Sequence, residues 1–408
     1  MKIRRAYRVE LDPNDVQRTA LLQHAGAARH AYNWGLRRKI DAYQETGKSP
    51  SAIDLHRELN VLKRIPKEQG GVPWMYDVSK CAPQEALRNL DRAFTNFFRR
   101  CKEKKSGPKG FPRFKSRKRG IGGFTVTGAI LVEEQSIRLP RIGAVRLKEA
   151  GYLPAGRQGT VTVSESAGRW FVSLSQDESF NVTLSTGEPL GIDVGVEHLA
   201  TLSDGTVFEN PRAQKAAGKR LRRLQKSVSR KVKGSRNRKK AVQKLARQHY
   251  RVGNIRKDAI QKATTTVIAK RPAAIGIESL NVSGMLRNHR IARALSDASM
   301  SEFLRCLEYK AAWAGIPVVK ADRWFPSSKT CSLCGVVDAG LTLNDRTFRC
   351  PSCGLVLGRD LNAAINLKPT AASSAVAACG AGSADPDRKI RMKLPAMKQE
   401  PNIIEACP

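Results

Sequence analysis

Between Cys331 and Leu367 the chain places two C-x-x-C pairs fifteen residues apart and follows them almost at once with RDLNAAINL. Each C-x-x-C is a turn that aims two thiolates at one tetrahedral ion, and the glycine after each pair, Gly335 and Gly354, supplies the positive φ such a knuckle needs. Cys331, Cys334, Cys350 and Cys353 are therefore expected to hold zinc in a closed structural site, since four thiolates leave no open position for catalysis. A redox pair is the competing use of this spacing. Asp360 then opens a helix in which Asp360, Ala363, Ala364 and Leu367 share one face, and the alanines let that helix lie close on a sheet. Taken alone, Asp360 reads as an N-cap.

Two upstream strands change that reading. From Pro189, LGIDVGVEHLATLSDGTVFE reads as three successive strands with a turn at Asp204-Gly205. Alternation in the first puts Ile192, Val194 and Val196 on one face and Gly191, Asp193 and Gly195 on the other, so the aspartate stands between residues without side chains. That spacing is expected to leave room for a metal ion and a phosphate. AAIGIES repeats the design, with Ile275 and Ile277 on one side and Ala274, Gly276 and Glu278 on the other. Asp193, Glu278 and Asp360 together are what a two-metal phosphoryl hydrolase needs to hold two Mg²⁺ ions about 4 Å apart. Magnesium takes oxygen ligands and keeps waters, so a few carboxylates with substrate phosphate suffice.

Charge supplies the partner. The 408 residues contain 73 Lys plus Arg against 36 Asp plus Glu, a net charge of +37 that would self-repel unless a polyanion met it. Between Glu209 and Asp258 there is no acidic residue, and sparse apolar positions (Leu221, Leu224, Val228; Val242, Leu245) keep helical spacing on either side of Gly234. Two basic helices joined there, followed by a further helix to about Lys270, predict a hairpin that presents Arg220, Arg222, Arg223, Lys231, Arg236 and Lys239 to nucleic acid. The run SGPKGFPRFKSRKRG, residues 106–120, alternates Lys109, Arg113, Lys115 and Arg117 with Phe111 and Phe114, which suits backbone tracking of a nucleic acid with rings for packing or stacking, and equally suits a solvated loop. No apolar run approaches the length needed to span a bilayer, and the start carries no basic segment followed by an apolar one. The nine cysteines, four of them in metal-type pairs, suit a reducing compartment, so a cytoplasmic protein is expected.

The N-terminal half is organised differently. Lys2 to Leu11 alternates as a strand, Asp12-Pro13-Asn14-Asp15 can cap a helix, and Val16 to Tyr43 keeps helical spacing with a break expected near Gly26. A second helical block, Ser79 to Lys105, carries Leu87, Leu90, Phe94, Phe97 and Phe98 along one side, expected to be core. FTVTGAILV, SIRLPRIGAVRL, GTVTVSE and RWFVSLSQ then read as a small antiparallel β-domain to which the first strand belongs. Ser299 and Glu302 are spaced as a capping box for SEFLRCLEYKAAWAG, with Phe303, Leu304 and Leu307 as its buried face, and IPVVKADRW follows as a strand.

GIDVGV, AIGIESL, FPSSKTCSLCG with CPSCG, and RDLNAAINL, in that order, resemble the TnpB family of transposon-encoded RNA-guided DNA nucleases, relatives of type V CRISPR effectors. GFPRFKSR and LEYKAAWAG resemble the same family, and the likeness runs to about residue 370. The resemblance implies an α+β multidomain fold: an RNase H-like (RuvC) nuclease domain over 186–326 and 356–370 with a zinc ribbon inserted at 327–355, and a β-barrel wedge domain over 1–11 and 120–185 interrupted by a helical recognition domain at 12–119. It implies that the catalytic trio falls on Asp193, Glu278 and Asp360, and that a guide RNA from the transposon end pairs with target double-stranded DNA beside a short flanking motif before both strands are cut. It places the protein on the prokaryotic nucleoid, with one chain per RNA favoured. A transposase on the same fold and a non-cleaving RNA-guided repressor are the alternatives, and a plain zinc-ribbon RNA-binding protein leaves the glycine-flanked carboxylates unexplained. The tail, 371–408, is small, polar and aperiodic, and is expected to be disordered.

Overall fold

The computed structural model describes residues 2–103, 107–179, 185–342 and 345–379. The chain divides into two compact units, Arg4–Glu178 and a second that begins at Ser179.

In the first unit, β1 (Lys2–Asp12) leads into three helices, α1 (Asp15–Thr46), α2 (Ala52–Leu62) and α3 (Cys81–Lys102). Five further strands follow: β2 (Gly123–Val132), β3 (Ser136–Leu139), β4 (Gly143–Leu147), β5 (Gly156–Ser166) and β6 (Arg169–Ser179). The strands close into a barrel in the order β1-β4-β3-β2-β5-β6. Closure pairs every edge, and the inward residues Val9, Val126, Ile137, Val145, Val163 and Val172 are all buried. Leu21, Leu36, Leu55, Leu59, Leu87 and Leu90 from the helices continue this core.

Two expectations need correction here, and one element is new. α1 passes through Gly26 unbroken, because Asn14 and Gln17 form a reciprocal capping box at its start and Ala25, Ala27, Ala28 and Ala31 bury around the glycine. α2 lies in a stretch that the sequence reading leaves unassigned. On α3 the aromatic stripe is only partly core: Leu87 and Leu90 are fully buried, but Phe94 sits at the core's edge and Phe98 is 55% exposed. The helix has run past the layer it packs on by that point.

In the second unit, β7 (Leu190–Asp193), β8 (His198–Leu202) and β9 (Val207–Glu209) form an antiparallel meander. α4 (Ala213–Ser229) and α5 (Arg236–Ala269) come next, then β10 (Ile275–Ile277). Three helices, α6 (Val282–Met285), α7 (Ala292–Ala298) and α8 (Met300–Ala314), lead to β11 (Val318–Lys320). A two-stranded ribbon, β12 (Thr347–Arg349) and β13 (Val356–Gly358), precedes α9 (Arg359–Cys379). The sheet order is β11-β10-β7-β8-β9, with β10 parallel to both of its neighbours. Ile192, Ile275 and Ile277 face a core shared with Ile260 and Val267 of α5 and with Phe303 and Leu307 of α8. The alternate residues Gly191 and Gly276 face α9 on the other side, so the sheet is covered on both faces.

α5 is one continuous helix to Ala269 rather than a hairpin arm followed by a separate helix. The hairpin itself forms: Gly234 takes positive φ between α4 and α5, and the Arg238 guanidinium donates to the Val228 carbonyl at 2.7 Å. The capping box at Ser299 does not form. Ser299 adopts left-handed backbone (φ 54°) as the hinge between α7 and α8, its hydroxyl donates back to the Ser296 carbonyl, and Glu302 pairs with Arg305 instead. α9 is helical to Cys379, beyond the point where the sequence reading begins a disordered tail, and residues 380–408 lie outside the described residues. Among the described residues no helix is long and apolar enough to cross a membrane.

Candidate active site and metal centre

β7 and β10 are adjacent parallel strands in the register Gly191↔Gly276 and Ile192↔Ile277, so the next pair along is Asp193 and Glu278. Both acids therefore stand at the carboxyl ends of neighbouring strands, where open α/β sheets present functional groups. The third is carried in by α9. A Cβ built on Gly191 would lie 1.9 Å from the Ala364 carbonyl oxygen, and one on Gly276 would lie 2.1 Å from the Leu367 carbonyl oxygen. The helix backbone thus rests directly on the two glycines, with Ala363, Ala364 and Leu367 buried beneath it, and its first turn delivers Asp360 to the strand ends. This corrects the expectation that these glycines clear space for metal and phosphate. What they clear is space for a helix backbone.

Glu278 and Asp360 both act on Asp193. Burial pushes the Asp193 carboxyl up to about 8, and the negative charges of Glu278 and Asp360 push the same way, against a weaker pull from Arg359 and the Val194 N–H. Arg359, just before Asp360, places its guanidinium 3.4 Å from the Asp360 carboxylate. Glu278 accepts a hydrogen bond from the hydroxyl of buried Ser327. Sequence reasoning missed Arg359 and Ser327, although both lie inside motifs it had singled out. The available signal was a cation directly before Asp360; nothing in the sequence marked Ser327.

The four cysteines converge. Sγ of Cys331 lies 3.6 Å from that of Cys353, Sγ of Cys334 lies 3.4 Å from that of Cys350, and all four sulfurs fall within 4.8 Å of one another. Tetrahedral zinc with Zn–S bonds of about 2.3 Å requires sulfurs about 3.8 Å apart, so the donor set fits that ion. Gly335 and Gly354 have φ of 78° and 72°, as the knuckles require, and Phe348 is fully buried against Cys331 and Cys350. A backbone N–H from Cys353 lowers the Cys350 thiol to about 6, while hydrogen bonds among the sulfurs push the Cys334 and Cys353 thiols up, the mark of thiols crowded together. Among the described residues this is the one set of three or more His, Cys, Asp or Glu that gathers as a metal-ligand cluster.

Nucleic-acid candidates fall on two surfaces. Arg220, Arg222, Arg223, Arg236 and Lys239 are exposed on the α4–α5 hairpin and Lys231 is half-buried at its tip; Lys219, Arg222, Arg223, Lys226, Arg230 and Lys231 line a groove there. In the other unit, Lys109, Arg113, Lys115 and Arg117 lie on the loop after α3. That loop is pinned rather than loose: Asn33 makes two hydrogen bonds to the backbone of Lys115, whose amine lies 4.0 Å from the centre of the Tyr32 ring. Phe111 packs edge-on against Phe94 and Phe97, and it and Phe114 are each 48% exposed.

Family models match three stretches of the chain. Residues 301–367, which span the ribbon and the start of α9, match the Cas12f1-like TNB domain; residues 171–289 match the OrfB_IS605 family, described as "Probable transposase"; and residues 1–48 match its "Helix-turn-helix domain". Over the last of these the structure holds one strand and one continuous helix. A protein of Streptomyces pristinaespiralis described as "Putative RNA-guided DNA endonuclease" is 37% identical over 99% of this chain and 98% of its own length. The chain belongs to the TnpB family. A second member, described as "Putative RNA-guided DNA endonuclease InsQ", from Escherichia coli K12, is 34% identical over 93% of this chain and 95% of its own. Among solved structures, "Structure of the mini-RNA-guided endonuclease CRISPR-Cas_phi3" aligns with a TM-score of 0.47 at 9% identity, covering 92% of each chain.

Proposed function

We propose that this TnpB-family chain is an RNA-guided, divalent-metal-dependent DNA endonuclease that cuts double-stranded DNA paired with a bound guide RNA beside a short flanking motif. The observation that carries the reading is the placement of Asp193, Glu278 and Asp360. Two acids end neighbouring parallel strands, and a helix seated on the glycine two residues before each of them brings the third. The sheet order β11-β10-β7-β8-β9, three antiparallel strands extended by two parallel ones, supports an RNase H-like (RuvC) nuclease domain with the ribbon inserted before its last helix. The names of the full-length relatives supply the RNA guide and the DNA target.

Two Mg²⁺ ions are the group this carboxylate set fits, and bound there they would supply an activated water and charge at the leaving oxygen. Asp193, raised to about 8 by burial and by its two acidic neighbours, would hold such a cation in its deprotonated form. Glu278 accepts a hydrogen bond from Ser327, Asp360 lies in the first turn of α9, and the Arg359 guanidinium offsets part of the local negative charge. The four cysteines hold structural zinc and take no part in the chemistry. The α4–α5 hairpin carries phosphate-neutralising charge with little sequence preference, which leaves sequence reading to base pairing.

The test is purification from a host carrying the native locus, sequencing of the bound RNA, and incubation with matching DNA with and without Mg²⁺. Cleavage that needs both the matching sequence and Mg²⁺ is expected; intact DNA under those conditions refutes the reading. The "Probable transposase" description over 171–289 keeps a second reading in play, strand transfer on the same fold. Joined products from transposon ends supplied without guide RNA would decide for it.

A further inference from the structure

The segment between β11 and the first zinc knuckle does more than connect them. Ser327 is 3% exposed, and its hydroxyl donates to Oε1 of Glu278. Its own carbonyl accepts from Asn366 Nδ2 at 2.8 Å, and the Thr330 carbonyl accepts from both Asn366 (2.6 Å) and Asn362 (2.7 Å). Asn362, fully buried, also accepts the Ser332 N–H at 3.0 Å, and Cys331 lies between these anchored residues. Asn362 and Asn366 sit one turn apart on α9, the helix that carries Asp360.

Glu278 needs such a tether more than its partners do. An aspartate at a strand end or in a first helical turn has one freely rotating bond beyond Cβ, whereas glutamate has two, and an untethered carboxylate pays rotamer entropy each time it binds a cation. A hydroxyl on Oε1 restrains the carboxylate's rotation while Oε2 keeps its own acceptor capacity. Resting on the metal-dependent reading above, we propose that Ser327 is the positioning residue for Glu278, held by Asn366, so that the stem of the zinc ribbon sets the geometry of the carboxylate site. One helix thereby places two of the three acids, Asp360 directly and Glu278 through Asn366 and Ser327.

The test is Mn²⁺ binding to the full-length RNA-bound protein, read by electron paramagnetic resonance, with the Asp193→Ala complex subtracting ions held by the RNA. Ser327→Ala is expected to weaken the trio's Mn²⁺ affinity by about tenfold or more, the usual effect of removing a group that orients a ligand. The Mg²⁺ concentration for half-maximal cleavage should rise by the same factor, while the rate at saturating Mg²⁺ is largely kept and the zinc content is unchanged. Asn366→Ala should move affinity in the same direction, and Ser328→Ala should leave it alone. If Ser327→Ala melts early, Asn366→Ala carries the test. Folded variants at Ser327 or Asn366 that bind Mn²⁺ as the native complex does overturn the proposal. A native complex that binds no more Mn²⁺ than Asp193→Ala overturns the metal-dependent reading itself, a different result from equal binding by native and Ser327→Ala.

Discussion

Gly191 and Gly276 lie opposite each other on β7 and β10, and the backbone of α9 rests on both. Two absent side chains thus set the height of Asp360 above the strand ends. Alanine at either position must push the helix away, because the atoms it would meet are backbone carbonyls that cannot rotate aside. Gly191→Ala or Gly276→Ala is expected to cost about 1–3 kcal/mol or more, the range for overpacking a close-packed interior. Cleavage by the fraction that remains folded should fall further than stability does. Thermal melting beside single-turnover cleavage at low temperature separates the two; native cleavage by a folded Gly191→Ala would show that α9 need not sit so close.

Asp193 carries a pH signature. Its carboxyl titrates near 8 in the metal-free fold and near 3.8 when unfolded, so between those values the folded state holds the extra proton. Stability of the metal-free protein should therefore fall as pH rises from about 4 to about 8. Asp193→Asn removes this component, raising the melting temperature of metal-free protein at pH 8 and flattening its pH dependence while abolishing cleavage. A melting profile at pH 5 to 8 with and without the substitution checks this, and parallel profiles would count against it.

The ribbon should depend on its metal and the barrel should not. Its local core is little more than Cys331, Cys350 and Phe348 with Leu341 and Leu355 at the edge, and structural zinc sites contribute about 10–16 kcal/mol of apparent binding energy in small domains. Cys350→Ser is expected to reduce zinc from one per chain to near zero and to open residues 327–358 to proteolysis. The barrel, built on its own core, should keep native protection in hydrogen exchange.

On the hairpin, Arg222 and Lys226 are one turn apart in α4 and line the same groove. If both neutralise phosphates, the double alanine variant loses two counterion-release contacts. The slope of log affinity against log salt should then shrink by about 1.5, with weakening uniform across RNA sequences. Filter binding at several salt concentrations measures it, and an unchanged slope would place the nucleic acid elsewhere.

Much of this was readable from local pattern. The β-meander, the basic hairpin at Gly234, the barrel strands and the cysteine knuckles each follow from alternation, turn residues or spacing that act over a few residues. The misses share a different cause. Gly26 could not announce that α1 continues through it, because the alanines flanking it are stabilised by burial against other elements. Ser299 and Glu302 had the spacing of a capping box, but Ser299 was taken up as the hinge between two helices and Glu302 by Arg305. Phe98 followed the core stripe of α3 past the end of the layer beneath it.

The sequence by itself determined which residues are candidates for chemistry: three acids, two of them sharing a strand face with glycine, and four cysteines at metal spacing. Only the tertiary structure decided why the glycines are there and how the acids are held. Close approach of the α9 backbone to Gly191 and Gly276, and the bonds from Asn366 to Ser327 and from Ser327 to Glu278, join residues from Gly191 to Asn366. Periodicity within one segment carries no information about which distant backbone will lie against it, and that contact is what turns separate motifs into a site.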